Sequence, residues 1–352
     1  MQRVSIIGLG LIGTSIGLGL RRWSNNNGKR EAVLEISGFD SALEVQSYAK
    51  KMGAVDRTEW NLPNAISRAD MIVIATPVGA VPELFKLIAE EGKQGVVVTD
   101  VCSTKVQVLE WAKELLPDSV HFVGGHPMAG KAQSTEAAEA DLFKGATWCV
   151  CPMVNAGDEA VQTVLGLISA LEAEPLFIDP HEHDGFVGGI SHLPYLLSIA
   201  LMRSVSADPA WRDIRQLTAN GFRDVSRLSG GSPEMHRDIC HTNRDNVVRW
   251  ADSAIAELQH LRDLIASGTE ETMDTLMKEL TDARDAHAEW VTAERGPGGG
   301  LVQDTQDELT NMSMGGQMRQ LFVGGLFSRR GLPGSDRQTG GRRKAKSRPE
   351  RE

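Results

Sequence analysis

The chain has 352 residues, 41% hydrophobic and 24% charged, enough apolar material for two sizeable cores. A formal net charge of −10 excludes a body built to grip nucleic acid. No charge-free apolar run reaches about 18 residues, and strand-like sequence begins almost at Met1, so neither a membrane span nor a signal peptide is expected and the reading is cytoplasmic.

The charge is uneven: residues 328–352 hold nine Lys/Arg against three acids, a net +6 that leaves −16 on the rest. A cationic site for an anionic substrate must therefore be local. The four cysteines, Cys102, Cys149, Cys151 and Cys240, are too scattered for a disulfide framework. Cys149 and Cys151 alternate in an apolar run, which puts them on one face of a strand as buried thiols, and no metal site is expected.

In chain order, strand-like β-branched runs at 4–7, 33–39, 71–75, 96–100, 121–124 and 148–151 alternate with helical patterns at 12–23, 43–52, 81–90 and 105–115. That spacing implies βαβ units and a mostly parallel sheet with helices on both faces, an α/β domain over 1–178. Directly after the first strand comes Gly8-Leu9-Gly10-Leu11-Ile12-Gly13. The first glycine serves a tight turn, the second a close approach of backbone to a pyrophosphate, and the third close helix–sheet packing. The free N–H groups of the following helix, from Leu11 and Ile12 on, favour phosphate. Asp40 ends the second strand and is placed to hold the adenosine ribose. It lies late because the polar stretch 24–31 lengthens the connection, and its alternative role is to cap the next helix. With no Lys or Arg close behind Asp40, NAD is favoured over NADP. Thr76, Pro77 and Val78 follow the strand at 71–75 and border the dinucleotide.

After the next two strands come DVCSTK, with Ser103 and Lys105, and GGHPMAG, with His126. Both fall at carboxyl ends of strands, where open α/β sheets place ligands. His126, in a glycine-flanked loop and followed by Pro127, is placed as a general base.

Past the Asp179–Pro180 turn the pattern is helical: 183–204, apolar on most faces and read as buried, then 246–267 and 270–292. An all-α domain over 179–295 follows, with a dimer interface on it. The alternative is a monomer whose first domain covers the apolar helix. From 296 to 352 the chain is Gly-rich and then basic, with the last ~20 residues expected to be disordered. A weak membrane or partner contact by MRQLFVGGLFSRR is disfavoured by its paired glycines.

With GLGLIG, DVCSTK, GGHPMAG, ISHLPY and GFRDVSRLSGGSPEMHRDI in this order, residues 1–290 resemble the prephenate/arogenate dehydrogenases of tyrosine biosynthesis. The resemblance implies an N-terminal Rossmann domain, a helical dimerising domain, and NAD(P)-dependent oxidative decarboxylation of prephenate or arogenate. It implies that His126 is the base, that Ser103 orients it and the substrate hydroxyl, and that Arg227 grips a substrate carboxylate. Arg223 and Asp224 match a charged pair at the site mouth, and His192 a site-proximal histidine. A packed helix histidine is the other reading of His192.

Three positions depart from that pattern. Tyr195 stands where many prephenate-preferring members have a second histidine, His236 where a tryptophan is common, and Lys131 where a serine often follows HPMAG. Tyr195 and His236 bear on substrate choice and feedback by tyrosine, and SRLSGGSPE looks closer to the arogenate-using branch. No fused mutase or regulatory domain is expected. The competing readings are a β-hydroxyacid dehydrogenase or imine reductase on the same architecture, and a non-catalytic NAD-binding sensor or scaffold.

Overall fold

The apolar runs form eight strands in one sheet: β1 (Gln2–Ile7), β2 (Leu34–Phe39), β3 (Arg57–Thr58), β4 (Met71–Ile74), β5 (Val96–Asp100), β6 (Val120–Pro127), β7 (Thr147–Pro152) and β8 (Glu174–Phe177). A computed structural model describes residues 2–27, 34–130, 135–153 and 155–295, so Lys131 and the segment from 296 on lie outside the described residues. The strand order is β3-β2-β1-β4-β5-β6-β7-β8. All neighbours are parallel except β6 and β7.

The central strands are apolar throughout because both sheet faces are covered, and alternate residues feed opposite cores. Ile6 and Val73 pack with Ile16, Ile36, Val164 and Ile168 on one side. Ile7, Ile72 and Ile74 pack with Phe85, Ile88, Val108 and Phe122 on the other. Helices Leu11–Asn27, Leu43–Lys51 and Asp158–Ala170 lie over the first face, and Leu62–Ser67, Val81–Glu91 and Val106–Leu115 over the second. Cys149 and Cys151 are free, buried thiols on β7.

Sequence and structure differ at the far edge of the sheet. β6 runs to Pro127, beyond the predicted 124, because β7 returns antiparallel and pairs with it: Gly125 opposite Val150, His126 opposite Cys149. His126 therefore sits on a strand, not in a loop. β3 and β8, two and four residues long, carry too little pattern to be read.

The second half is helical. Asp179 caps the helix Pro180–Val187 by accepting the N–H groups of His181 at 2.8 Å and Glu182 at 3.3 Å, with Pro180 in the first turn. A π-turn, Gly188–His192, carries the chain into helix Leu193–Ser206. The turn is where the Trp250 ring lies: a Cβ on Gly189 would stand 2.8 Å from it, and the indole N–H donates to Gly185 O at 2.9 Å. Helices Pro233–Thr242, Arg244–Ser267 and Glu270–Arg295 complete the half, with Gly268 at φ +61° turning the chain between the last two.

The helix expected to be buried is not covered in the single chain. Within Leu193–Ser206 only Ser198 is buried, while Phe186, Ile190 and Leu197 on the preceding turns and the helix are exposed. Residues 180–206 are long and apolar enough by length and composition to cross a membrane, the one such helix among the described residues. Its polar members His183, Asp184 and His192 are buried instead against the sheet domain and its helical neighbours. Apolar content predicted a buried helix; in the single chain the helix is largely uncovered, because the first domain does not provide the cover.

Candidate active site

At the glycine turn each glycine has its own reason. Gly8 adopts φ +94°, and a Cβ there would stand 2.4 Å from Ala75 O. A Cβ on Gly13 would stand 1.9 Å from Gly8 O, so the helix sits as close to the strand as backbone allows. Gly10 faces open space. Leu11 and Ile12 begin the helix, whose first N–H groups have no partner within it. Asp40 fastens this turn: its carboxylate accepts Leu9 N–H at 2.8 Å and Ala42 N–H at 2.9 Å. Neither bond reaches the first turn of helix Leu43–Lys51, so the carboxylate ties the glycine turn to the end of β2 and does not cap that helix. Beside Gly8, Thr76 has a buried hydroxyl without a partner, Pro77 leads into a short turn, and the Val78 side chain belongs to the core. A cradle that excludes Cβ, an open glycine, a helix start and an orphaned hydroxyl fit a bound dinucleotide.

Beyond it lies a buried polar junction. Asp100 and Lys105, both wholly buried, form an ion pair, and Lys105 Nζ also donates to Gly125 O at 2.7 Å. Asp100 accepts the N–H groups of Gly125 and Cys102, each at 3.0 Å. A Cβ on Gly125 would stand 2.7 Å from Asp100 O, so glycine lets β6 and the 101–105 turn approach. This fixes the strand carrying His126, which is 8% exposed. Burial, with the neighbouring charges of His183, Lys105 and His192, holds the His126 imidazole well below its ordinary pKa, so it is neutral and proton-accepting at neutral pH. Its Nδ1 lies 2.8 Å from His183 Nε2.

His192 is set from behind. Asn243 donates its amide to Asp184 O at 2.7 Å and accepts from Asn246 at 2.9 Å, which fixes its orientation. Its second N–H points to His192 Nδ1 at 3.2 Å, leaving the His192 proton on Nε2, a buried donor with no partner. Burial pushes the His192 pKa down to about 4, so this donor is neutral. Tyr195 and His236 stack, ring centroids 3.4 Å apart and planes within 7°. His236 donates from Nδ1 to Ser232 O at 2.8 Å, and Gly231 leaves room for its ring.

The structure thus brings His126 and His192 into one buried cluster and pairs Tyr195 with His236. It does not tie Arg223, Arg227 or Ser103 to them. Arg223, Asp224 and Arg227 are exposed, and among the described residues none of their side chains has a hydrogen bond or ion pair. Arg227 begins a short turn that docks through Ser229 N–H on Ser198 Oγ at 2.9 Å, one helical turn from Tyr195. Ser103 is half-buried on the 101–105 turn without a hydrogen bond among the described residues. Sequence reasoning missed His183, Asp184 and Asn243, and gave Lys105 no role. Nothing in their spacing separates them from the polar positions of ordinary helices.

Comparison with known proteins decides the family. Residues 22–175 match the prephenate dehydrogenase nucleotide-binding domain, and residues 179–279 match the prephenate dehydrogenase dimerization domain. Prephenate dehydrogenase of Bacillus subtilis is 32% identical over 285 residues, 80% of this chain and 75% of that protein. The chain belongs to the prephenate dehydrogenase family. It is an NAD(P)-dependent dehydrogenase of the prephenate/arogenate class, which excludes the hydroxyacid, imine and non-catalytic readings. Cyclohexadienyl dehydrogenase of Zymomonas mobilis is 26% identical, covering 80% of this chain and 95% of that one. The crystal structure of prephenate dehydrogenase from Aquifex aeolicus, in complex with hydroxyphenyl propionate and NAD+, superposes with a TM-score of 0.73 at 26% identity, over 82% of this chain and 98% of that one.

Proposed function

We propose that this enzyme catalyses the NAD-dependent oxidative decarboxylation of prephenate to 4-hydroxyphenylpyruvate, a step of tyrosine biosynthesis. The observation that carries the reading is His126: buried, neutral, and at the carboxyl end of β6, on the same edge of the sheet where the glycine turn follows β1. NAD, held by Gly8, Gly10, Leu11, Ile12, Gly13, Asp40, Thr76 and the 77–78 backbone, supplies the hydride acceptor. His126 takes the proton of the ring hydroxyl as the carbinol hydride leaves, and loss of the opposite carboxylate as CO₂ makes the ring aromatic. Ser103, on the turn locked by Asp100, orients the hydroxyl. His192 offers its unpartnered Nε2–H as a neutral donor to the substrate. Arg227 anchors a carboxylate, for which a permanently charged planar fork is suited, and Arg223 adds positive charge at the mouth.

NAD is favoured over NADP because the Asp40 carboxylate would repel a 2′-phosphate, and the nearby Arg57 is engaged by Glu35 and Glu59. The exposed apolar residues Phe186, Ile190, Leu197, Ile255 and Leu258 support a homodimer built on the helical half. Sedimentation at micromolar concentration should show a dimer.

A second reading, arogenate or dual use, draws on His236. Its Nδ1–H is committed to Ser232, which leaves Nε2 as an acceptor suited to an ammonium group. The ratio of kcat/KM for prephenate and arogenate with NAD tests both. A ratio above one supports prephenate as the substrate, and a ratio below one replaces it with arogenate. Turnover of neither overturns the proposal.

A further inference from the structure

His183 and Asp184 are adjacent on the first helix of the second half, each 1% exposed, and the chemistry above makes no use of them. Asp184 accepts the backbone N–H groups of Lys105 at 2.7 Å and Val106 at 2.9 Å, the start of helix Val106–Leu115. Its Oδ1 also lies 2.8 Å from His183 Nδ1. An ionised carboxylate has no proton to give, so the proton in that bond belongs to His183 Nδ1. In the neutral imidazole His183 Nε2 is then an acceptor, and His126 Nδ1, 2.8 Å away, is the donor. This leaves the lone pair of His126 on Nε2, and free imidazole has no such preference imposed on it.

The charges point the same way. Lys105 is paired with Asp100, whereas Asp184 is held by two backbone N–H groups and the His183 ring. The junction therefore sets two carboxylates against one lysine. The groups that face His126 are His183 from the helical half, Lys105 from the 101–105 turn, His192 from the π-turn and Cys149 across β7. Of these, the His183–Asp184 pair alone both accepts from the ring and ends in a carboxylate.

Resting on the reading of His126 as base, we propose that His183 is a positioning residue for proton abstraction: held by Asp184, it fixes the His126 proton on Nδ1, presents Nε2 to the substrate hydroxyl, and spreads the positive charge gained there towards the Asp184 carboxylate. In the step the substrate O–H bond breaks and an N–H bond forms at His126 Nε2, with the electron pair of the O–H bond left on oxygen to expel the hydride.

The test is ¹⁵N-histidine NMR of the full chain, with His126 assigned by its absence from His126→Asn, together with kcat and KM of each variant. The expected wild-type spectrum shows His126 protonated at Nδ1 and bare at Nε2. His183→Leu should shift His126 towards the Nε2–H form and lower kcat by roughly 10²-fold or more, with KM little changed. His183→Gln, whose carbonyl accepts from His126 and whose amide donates to Asp184, should restore the tautomer and most of kcat. A wild-type His126 protonated at Nε2 overturns the proposal even if every variant misfolds. So does a His183→Leu enzyme with an unmoved tautomer. If the tautomer is as stated but His126→Asn keeps its turnover, the functional reading falls and the positioning stands.

Discussion

The two ends of the site are built on opposite plans. Around His126 the supporting groups are committed before substrate arrives: Asp100 to Lys105 and two backbone N–H groups, Asp184 to His183 and two more, Asn243 to His192, with the His192 Nε2–H left unpartnered. Around Arg227 nothing is committed; the guanidinium is exposed and free of partners among the described residues, and so is that of Arg223. On the proposed function the buried end would serve the charge that develops in the reaction, at no cost of rearrangement at that moment. The exposed end would bind a charge that the substrate already carries, completed by the substrate or by a second copy of the chain.

If that division is right, substitutions at the buried end should cost kcat and stability, and those at the exposed end should cost KM. The largest effect falls on His126. Its change to Asn should lower kcat by ~10²–10⁴, the span for a general base, while titration calorimetry finds NAD affinity nearly unchanged. A comparable loss of NAD binding would blur the division. Next is Lys105→Met, which leaves Asp100 charged and buried and strips Gly125 O of its donor. Removal of one partner of a buried pair costs about 3–5 kcal/mol, to be read by denaturant unfolding. Adding Asp100→Asn should recover part of it, and no recovery would mean that the lysine acts by packing alone.

Much of this contrast was legible in the sequence, and its limits have physical causes. The glycine turn, Asp40 and His126 were readable because turn geometry and strand ends leave local signatures. The strand position of His126 was not, since it depends on β7 pairing from 23 residues away in sequence, His126 opposite Cys149. His183, Asp184 and Asn243 act across the junction between the two halves, and no local pattern records a contact of that kind. The apolar helix at 193–206 shows the converse: composition reports that a face is apolar, not what covers it.

A smaller effect comes from pH. The unfolded chain protonates His192 near its ordinary 6.5, whereas the folded one resists until about 4. Stability should therefore be full above pH 6.5 and fall as pH drops towards 4, by roughly 3 kcal/mol at most from this group. His126, also held down by burial, adds to it with the same sign. Thermal melts of wild type and His192→Asn across that window should converge at low pH, and parallel curves would remove His192 from the buried end. The smallest effect is that of Arg227→Ala: KM up by roughly 10–10²-fold, the worth of a charge-assisted hydrogen bond, with kcat within a few-fold. A fall in kcat at constant KM would move Arg227 to the other side of the comparison.

The account rests on hydride loss and decarboxylation proceeding at one site. The most direct measurement follows NADH and CO₂ together as the purified chain consumes prephenate with NAD. One CO₂ released for each NADH formed, with 4-hydroxyphenylpyruvate as the product, is the expected result; NADH without CO₂, or no NADH from either cyclohexadiene, would contradict it.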